Sequence, residues 1–234
     1  MDKRNEMYVI DNSALKPNGE KMTDLDKILS GGSLGQLESK FAELRAFNHT
    51  LREFMASNRV ITTPEVIEES DEFLGFLDYK RDVATRKLLR SHLGSRSHNH
   101  IAYLERMKEY RGKIEKTINL LDGNVVSFDQ LCDNEKAIYL GGEEEVKRRF
   151  IQIERCSSPT DQKLIATAFA LALRNPIVLV SADKNLLNIM RYSASHTLKG
   201  KAAHQILQYN PNWESNNAEC FFNIGKARQV YTNL

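Results

Sequence analysis

Cysteine is scarce in this chain. Cys132, Cys156 and Cys220 are the only three among 234 residues, and they are widely scattered. That excludes a disulfide scaffold and a four-thiolate zinc site, and it fits a reducing compartment. Apolar runs of the roughly 20 residues that cross a bilayer are missing. The opening Met1-Asp2-Lys3-Arg4-Asn5-Glu6 also lacks the apolar stretch of a secretion signal. Charge of one sign is lacking too: 33 basic and 31 acidic residues leave a net of +2, neither an acidic tail nor a uniformly basic packaging protein. No segment repeats or is of low complexity. No Gly-rich phosphate loop is present either, because Ser30-Gly31-Gly32-Ser33-Leu34-Gly35 has no Lys-Ser/Thr after it. The expectation is a cytoplasmic protein without membrane contact, long enough to bury a sizeable core.

The chain does contain short, strand-forming apolar runs that stop abruptly. Met7-Tyr8-Val9-Ile10 ends at Asp11-Asn12-Ser13, and Arg59-Val60-Ile61-Thr62-Thr63 ends at Pro64. Pro64 suits the first position of a helix, with Thr63 as its cap. Ser158-Pro159-Thr160-Asp161 opens an Ala/Leu-dense helix, Asn175-Pro176 breaks it, and Ile177-Val178-Leu179-Val180 follows as a buried-type strand. Ser181-Ala182-Asp183 caps a further helix from Lys184. Strand–helix alternation of this kind predicts an α/β fold with a parallel sheet.

The acids fall at informative places. Asp11 ends the first strand, Asp183 follows the last clear strand by two residues, and Asp161 stands in the first turn of the helix feeding that strand. Ligands of parallel α/β sheets gather outside the carboxyl ends of the strands, so acids there converge on one cleft. Clustered carboxylates repel one another unless a cation sits among them. Oxygen donors of this kind suit Mg²⁺ or Mn²⁺, and the matching chemistry is phosphodiester hydrolysis by a metal-activated water. Each acid also has a plain alternative as a turn former or helix cap. Other Asp-after-strand families fail on spacing. A haloacid-dehalogenase-type phosphatase needs a second Asp where Ser13 stands, and a metal-dependent adhesion site needs Ser where Leu15 stands.

These residues resemble the PIN-domain ribonucleases. Tyr8-Val9-Ile10-Asp11-Asn12-Ser13 is similar to the end of that family's first strand. Ile61-Thr62-Thr63-Pro64-Glu65-Val66-Ile67-Glu68-Glu69 looks like its Glu-bearing helix. Asp161-Gln162-Lys163-Leu164-Ile165-Ala166-Thr167-Ala168 looks like the Ala-rich helix opened by its third acid. Val178-Leu179-Val180-Ser181-Ala182-Asp183-Lys184-Asn185-Leu186 matches its fourth acidic segment. The resemblance implies a PIN-like parallel sheet flanked by helices, with a core over residues 7–70 and 123–195. It implies a metal-dependent endoribonuclease whose catalytic and metal-binding residues are Asp11, Glu69, Asp161 and Asp183, with one or two Mg²⁺ or Mn²⁺ ions. Glu68 competes with Glu69, since neighbours on a helix point about 100° apart. Glu65 is read as a first-turn acid favoured by the helix dipole. Ser13 and Ser181 would hydrogen-bond the carboxylates or the metal's waters.

The stretch between Glu69 and Asp161 is longer than compact members carry. Residues 71–122 are read as an inserted helical hairpin, with a turn at Gly94–Asn99 and an apolar stripe of Ile101, Leu104, Met107, Ile114 and Leu121. From Lys80 to Lys116 the local charge is +7, which leaves −5 elsewhere. Arg81, Arg86, Lys87, Arg90, Arg96, Arg106, Lys108, Arg111 and Lys113 are therefore candidate RNA-backbone contacts, with Tyr103 and Tyr110 as stacking partners. The plain alternative is a solvated face, and the stripe offers a face for self-packing or a homo-oligomer. His98 and His100 read as an exposed, idle pair, and Cys156 as a small buried residue. Residues 196–234 read as a helical extension in which Trp213 and Phe221-Phe222 cover the core. Two other readings stand beside the ribonuclease: a catalytically weak RNA-binding or assembly module, and a flap or single-strand DNA nuclease. The sequence leaves room for a protein inhibitor or antitoxin as partner.

Overall fold

Strands with every residue buried are the organising element. The computed structural model of the chain describes residues 6–15, 33–90, 97–152, 158–198, 206–209 and 228–229. β1 (Met7–Ile10) is followed by the short α1 (Asn12–Leu15), then α2 (Leu34–Ser57) and β2 (Arg59–Ile61). Two long helices, α3 (Pro64–Arg90) and α4 (Ser97–Asp122), precede α5 (Asp133–Gln152) and α6 (Pro159–Leu171). β3 (Ile177–Val180), α7 (Lys184–Thr197), β4 (Ile206–Tyr209) and β5 (Arg228–Gln229) complete the order. The sheet runs β2-β1-β3-β4-β5, parallel except for the antiparallel β5. The chain is thus mixed α/β, with four parallel strands among mostly helices. No described helix is long and apolar enough to cross a membrane.

The two-residue period of the strands divides the core. Met7, Val9, Ile177 and Leu179 face one layer with α5, α6 and α7, while Tyr8, Ile10, Val178 and Val180 face Phe47, Leu51 and Phe54 of α2. Both faces are covered, which is why these strands read as unbroken apolar runs. α6 is buried on every side from Leu164 to Leu171, so it carries no charge after Lys163. Ser158 caps it by accepting the Asp161 N–H at 3.0 Å.

The long helices form a second packing unit. Leu37, Phe41 and Leu44 of α2, Phe73, Leu74 and Leu77 of α3, and Tyr103, Met107, Tyr110, Ile114 and Ile118 of α4 make a three-helix core. α2 spans about 36 Å at 1.5 Å per residue, and its far half packs on the sheet, so one continuous rod joins the two units. At the junction Asn48 donates to the Thr117 hydroxyl at 2.9 Å, in a buried pair.

Several expectations are corrected here. The hairpin does not begin as a separate unit at residue 71, because α3 runs unbroken from Pro64 through that position. The apolar stripe of α4 is Tyr103, Met107, Tyr110, Ile114 and Leu121, whereas Ile101 is exposed, and it packs on α2 and α3 within the same chain. Tyr103 and Tyr110 are each about 1% exposed, so neither can stack on a base. His98 and His100 lie in the first turn of α4 rather than in a turn. Past the end of α7 at Thr197, the described elements of the C-terminal extension are strands and not helices: β4 pairs with β3 and β5 with β4. Cys156, Trp213, Cys220, Phe221 and Phe222 lie outside the described residues.

Two adjacent glycines in α5 test the packing. A Cβ on Gly142 would sit 2.9 Å from the buried ring of Phe169, whereas one on Gly141 meets nothing within 4 Å. Gly141→Ala is expected to stabilise the protein by about 0.5–1 kcal/mol through helix propensity. Gly142→Ala is expected to destabilise it by about 1–2 kcal/mol, overpacking outweighing the same gain. Urea unfolding of the two variants checks both signs.

Candidate active site

β1 is flanked by β2 on one side and β3 on the other, so the chain reverses its direction of travel across the sheet there. Ligand clefts open at such a switch point, outside the carboxyl ends of the strands. Asp11 is the first residue past β1. Its N–H bonds the Val180 carbonyl at 2.9 Å, extending the β1–β3 ladder, and its carbonyl accepts the Ala14 N–H that starts α1. The backbone thereby fixes the carboxyl group at the rim of the sheet, where it is 5% exposed.

Two serines hold that carboxylate. The Ser13 and Ser181 hydroxyls both donate to Asp11 Oδ2, the latter at 2.7 Å. In turn Ser13 Oγ accepts the Ala182 N–H at 2.9 Å and Ser181 Oγ accepts the Asp183 N–H at 3.0 Å. Each hydroxyl has one proton, and both protons are committed to Asp11. The 3.0 Å approach of the two oxygens is then a consequence of sharing one acceptor. Burial pushes the Asp11 pKa up. The serine bonds pull it down, the charge of Glu69 adds to the rise, and the net is upward.

Three further acids gather around it. Asp161, in the first turn of α6, is pushed up to about 6, first by burial and then by the charges of Asp11, Asp183 and Glu69, with Ser158 opposing. Its pKa thus registers all three other acids of the expected set. Asp183 caps α7 by accepting the N–H groups of Asn185 at 2.7 Å and Leu186 at 3.4 Å through Oδ1. The helix-cap reading of Asp183 is therefore correct as far as it goes, and it occupies one carboxylate oxygen only.

Glu69 is held by a residue that the sequence did not single out. Asn12 donates from Nδ2 to Glu69 Oε2 at 3.1 Å, and its Oδ1 accepts from the Ser70 hydroxyl at 3.1 Å. Asn12 follows Asp11 directly, and that adjacency is the signal that could have found it. The same bond separates Glu69 from Glu68, which is exposed and acts on Lys163 instead. Glu65 lies apart, with its Oε1 2.6 Å from the Lys163 ammonium. Burial works to raise its pKa, and the Lys163 ammonium and backbone bonds outweigh this and lower it.

The structure therefore brings together Asp11, Glu69, Asp161, Asp183, Ser13 and Ser181. The basic residues are elsewhere, on α3 and α4, and many are already paired. Arg81 pairs with Asp78, Arg106 with Glu38, Arg111 with Asp78 and Glu115, and Lys113 with Glu109. Arg86, Lys87 and Lys108 are exposed and make no ion pair among the described residues. Arg96 and the Arg90 side chain lie outside the described residues.

Among the described residues, no three His, Cys, Asp or Glu side chains are drawn closely enough together to form a ready metal cage. Mg²⁺ does not need one, since it keeps several waters and takes one or two protein carboxylates. An all-carboxylate donor set around a buried Asp11, where burial and mutual repulsion both disfavour the charged forms, suits such a cation. Comparisons with protein-family models, curated proteins and solved structures find no match to this chain.

The raised Asp161 pKa makes a stability prediction. Asp161 takes up a proton on folding between its ordinary 3.8 and about 6, so stability falls as pH rises through that interval and the full penalty applies above it. In cation-free buffer above pH ~7, Asp161→Asn is expected to melt higher than the wild type, by about 2–4 °C for each kcal/mol of repulsion removed. The gap should close below pH ~4, and added Mg²⁺ or Mn²⁺ should raise the wild type more than the variant. Equal melting temperatures above pH ~7 would show that the acids do not repel.

Proposed function

We propose that this chain is a divalent-metal-dependent nuclease of the PIN-domain type, hydrolysing RNA phosphodiester bonds endonucleolytically. The observation that carries the reading is the convergence of Asp11, Glu69 and Asp183 on a half-buried Asp161 at the carboxyl ends of β1 and β3, where burial first and the three charges after it raise its pKa to about 6. Repulsion of that kind is a cost to the fold, and it is relieved when a cation binds. The resemblance of the four acidic segments to PIN-domain ribonucleases agrees with the same four residues.

Asp11, Asp161 and Asp183 would hold one or two Mg²⁺ or Mn²⁺ ions, with Glu69 completing the set. When bound, the cation supplies activation of a water and neutralises charge developing on the phosphate oxygens. The chain's own groups do the rest. The Ser13 and Ser181 hydroxyls keep Asp11 oriented and favour its ionised form. Asn12 fixes Glu69, and the α7 backbone amides fix Asp183. Both serines are committed as donors to Asp11, so neither is free to act as a nucleophile, and the reading involves no covalent enzyme intermediate. Arg86, Lys87 and Lys108 are exposed basic residues with charge to spare for a phosphate backbone.

A second reading is a PIN-fold module that binds RNA without cutting it, which the exposed, unpaired Arg86, Lys87 and Lys108 would serve equally well. Incubating a mixed pool of tRNA and single-stranded RNA with the protein separates the two. The nuclease cleaves with Mg²⁺ or Mn²⁺ and not with EDTA, and Asp161→Asn lowers the rate by about two orders of magnitude or more. RNA affinity with no cleavage under any divalent metal selects the module. Equal cutting of an all-deoxy strand selects a DNA-capable nuclease, since the 2′-OH is what distinguishes the two polymers.

A further inference from the structure

α3 carries more than Glu69. Residues seven apart on a helix return to nearly the same face, and Phe76 stands seven residues and about 10 Å along the axis from Glu69. Phe76 is 40% exposed and Tyr79, one turn on and beside it, is 63% exposed. Two adjacent exposed aromatics on a helix rich in charged residues are unusual in a folded surface. The Phe76 ring is nearly parallel to that of Phe73, at 19° with centroids 6.3 Å apart, and Phe73 is locked in the three-helix core. The platform is thus backed by a fixed partner. On the same side of α3 the Lys80 ammonium lies 5.4 Å from the Phe76 ring centroid, and the unpaired Arg86 and Lys87 follow two turns further out.

We propose that Phe76 and Tyr79 form a base-stacking platform that receives a single strand of RNA as it leaves the acidic cluster, with Lys80, Arg86 and Lys87 following its phosphates. The proposal rests on the nuclease reading and adds its substrate-positioning surface. A base displaces the Lys80 ammonium from the Phe76 ring, and the flexible lysine stem lets that charge move to a neighbouring phosphate. The exchange is favourable because a base stacked on an aromatic is worth more than an exposed cation–π contact. The platform selects unpaired strands, since bases stacked within a duplex present no free face. It replaces Tyr103 and Tyr110, which are buried.

The test measures binding in the full chain carrying Asp161→Asn, in EDTA, so that the strand stays intact during the titration, and cleavage by wild type with metal is read separately. A fluorescent single-stranded oligoribonucleotide is titrated against its duplex form. Adding Phe76→Ala and Tyr79→Ala together is expected to weaken single-strand binding about tenfold or more while leaving duplex binding nearly unchanged. Lys80→Ala should flatten the salt dependence. Phe76→Trp should keep its affinity, and its added emission should be quenched on binding beyond any change from Trp213 in the parent. Unchanged binding in the double variant, or an unquenched Phe76→Trp, overturns the platform. So does sedimentation showing that the double variant loses self-association and no RNA affinity, which would make this face an interface between copies. If wild type fails to cut RNA with metal while binding falls as expected, the nuclease reading fails and the platform stands. If the double variant binds as its Asp161→Asn parent does while wild type cuts RNA with metal, the platform alone fails.

Discussion

The interaction on which the rest depends is the pair of serine hydroxyls that converge on one oxygen of Asp11. Ser13 lies just past β1 and Ser181 just past β3, so satisfying a single buried carboxylate locks the carboxyl ends of two central strands together. The serines' own lone pairs accept the N–H groups of Ala182 and Asp183, which shapes the turn that delivers Asp183 to the start of α7. Burial is the largest influence on this carboxylate and raises its pKa. The serines oppose that influence by favouring the charged form, and a charged form is what a cation or the other acids can sense. The turn, the helix cap and the electrostatics of the cluster are therefore consequences of one hydrogen-bond arrangement.

What surrounds this arrangement is built for rigidity. α6 is packed between the sheet and α5 with no exposed face from Leu164 onward, so Asp161 at its start moves only if the core moves. Glu69 comes from the other direction, on a helix that begins at the end of β2. Thr62, between them, donates its hydroxyl to the Ile10 carbonyl at 2.9 Å and is bridged by Val125 on its far side. Asp11 and Asp183 are thus carried just past two strand ends and Asp161 and Glu69 on two helices; backbone N–H groups anchor Asp161 and Asp183, while short polar side chains hold Asp11 and Glu69.

Much of this was legible in the sequence, and what was not has identifiable causes. β1, β2 and β3 were readable because buried parallel strands are short apolar runs with abrupt ends, and α3, α6 and α7 because Pro64, Pro159 and Asp183 mark their starts. Asp11, Asp161 and Asp183 followed from the same punctuation, and Glu69 only from the resemblance to PIN-domain ribonucleases. β4 was not readable: Ile206-Leu207-Gln208-Tyr209 alternates with a polar residue, and Gln208 is buried all the same because the sheet continues past it. The stripe of α4 was read a fraction of a turn out of phase. Its tyrosines read from the sequence as stacking partners for bases, while burial against Phe41 makes Tyr103 a core residue. Helix partners cannot be read from one helix, so nothing in the sequence said that α2 would cover that stripe.

Charge is the clearest case of what local counting misses. The +7 between Lys80 and Lys116 is real as a sum, and yet Arg106, Arg111, Lys113 and Arg81 are engaged by acids that come partly from outside that window, Glu38 and Asp78 among them. A surface pair of this kind adds little stability, but it does remove a cation from the supply available to a phosphate backbone. Among the described residues of that window the exposed cations without an ion pair are Lys108 and Lys116, on α4, and Arg86 and Lys87, on the outer half of α3. The same helix carries Glu69 near its start and the exposed aromatics between. A helix fixes the spacing of its residues to within a fraction of an ångström per turn, so the acidic cluster and everything further along α3 are held at set distances from one another. A strand lying along that rod would meet carboxylates, then rings, then cations, in an order that the sequence of a single helix dictates.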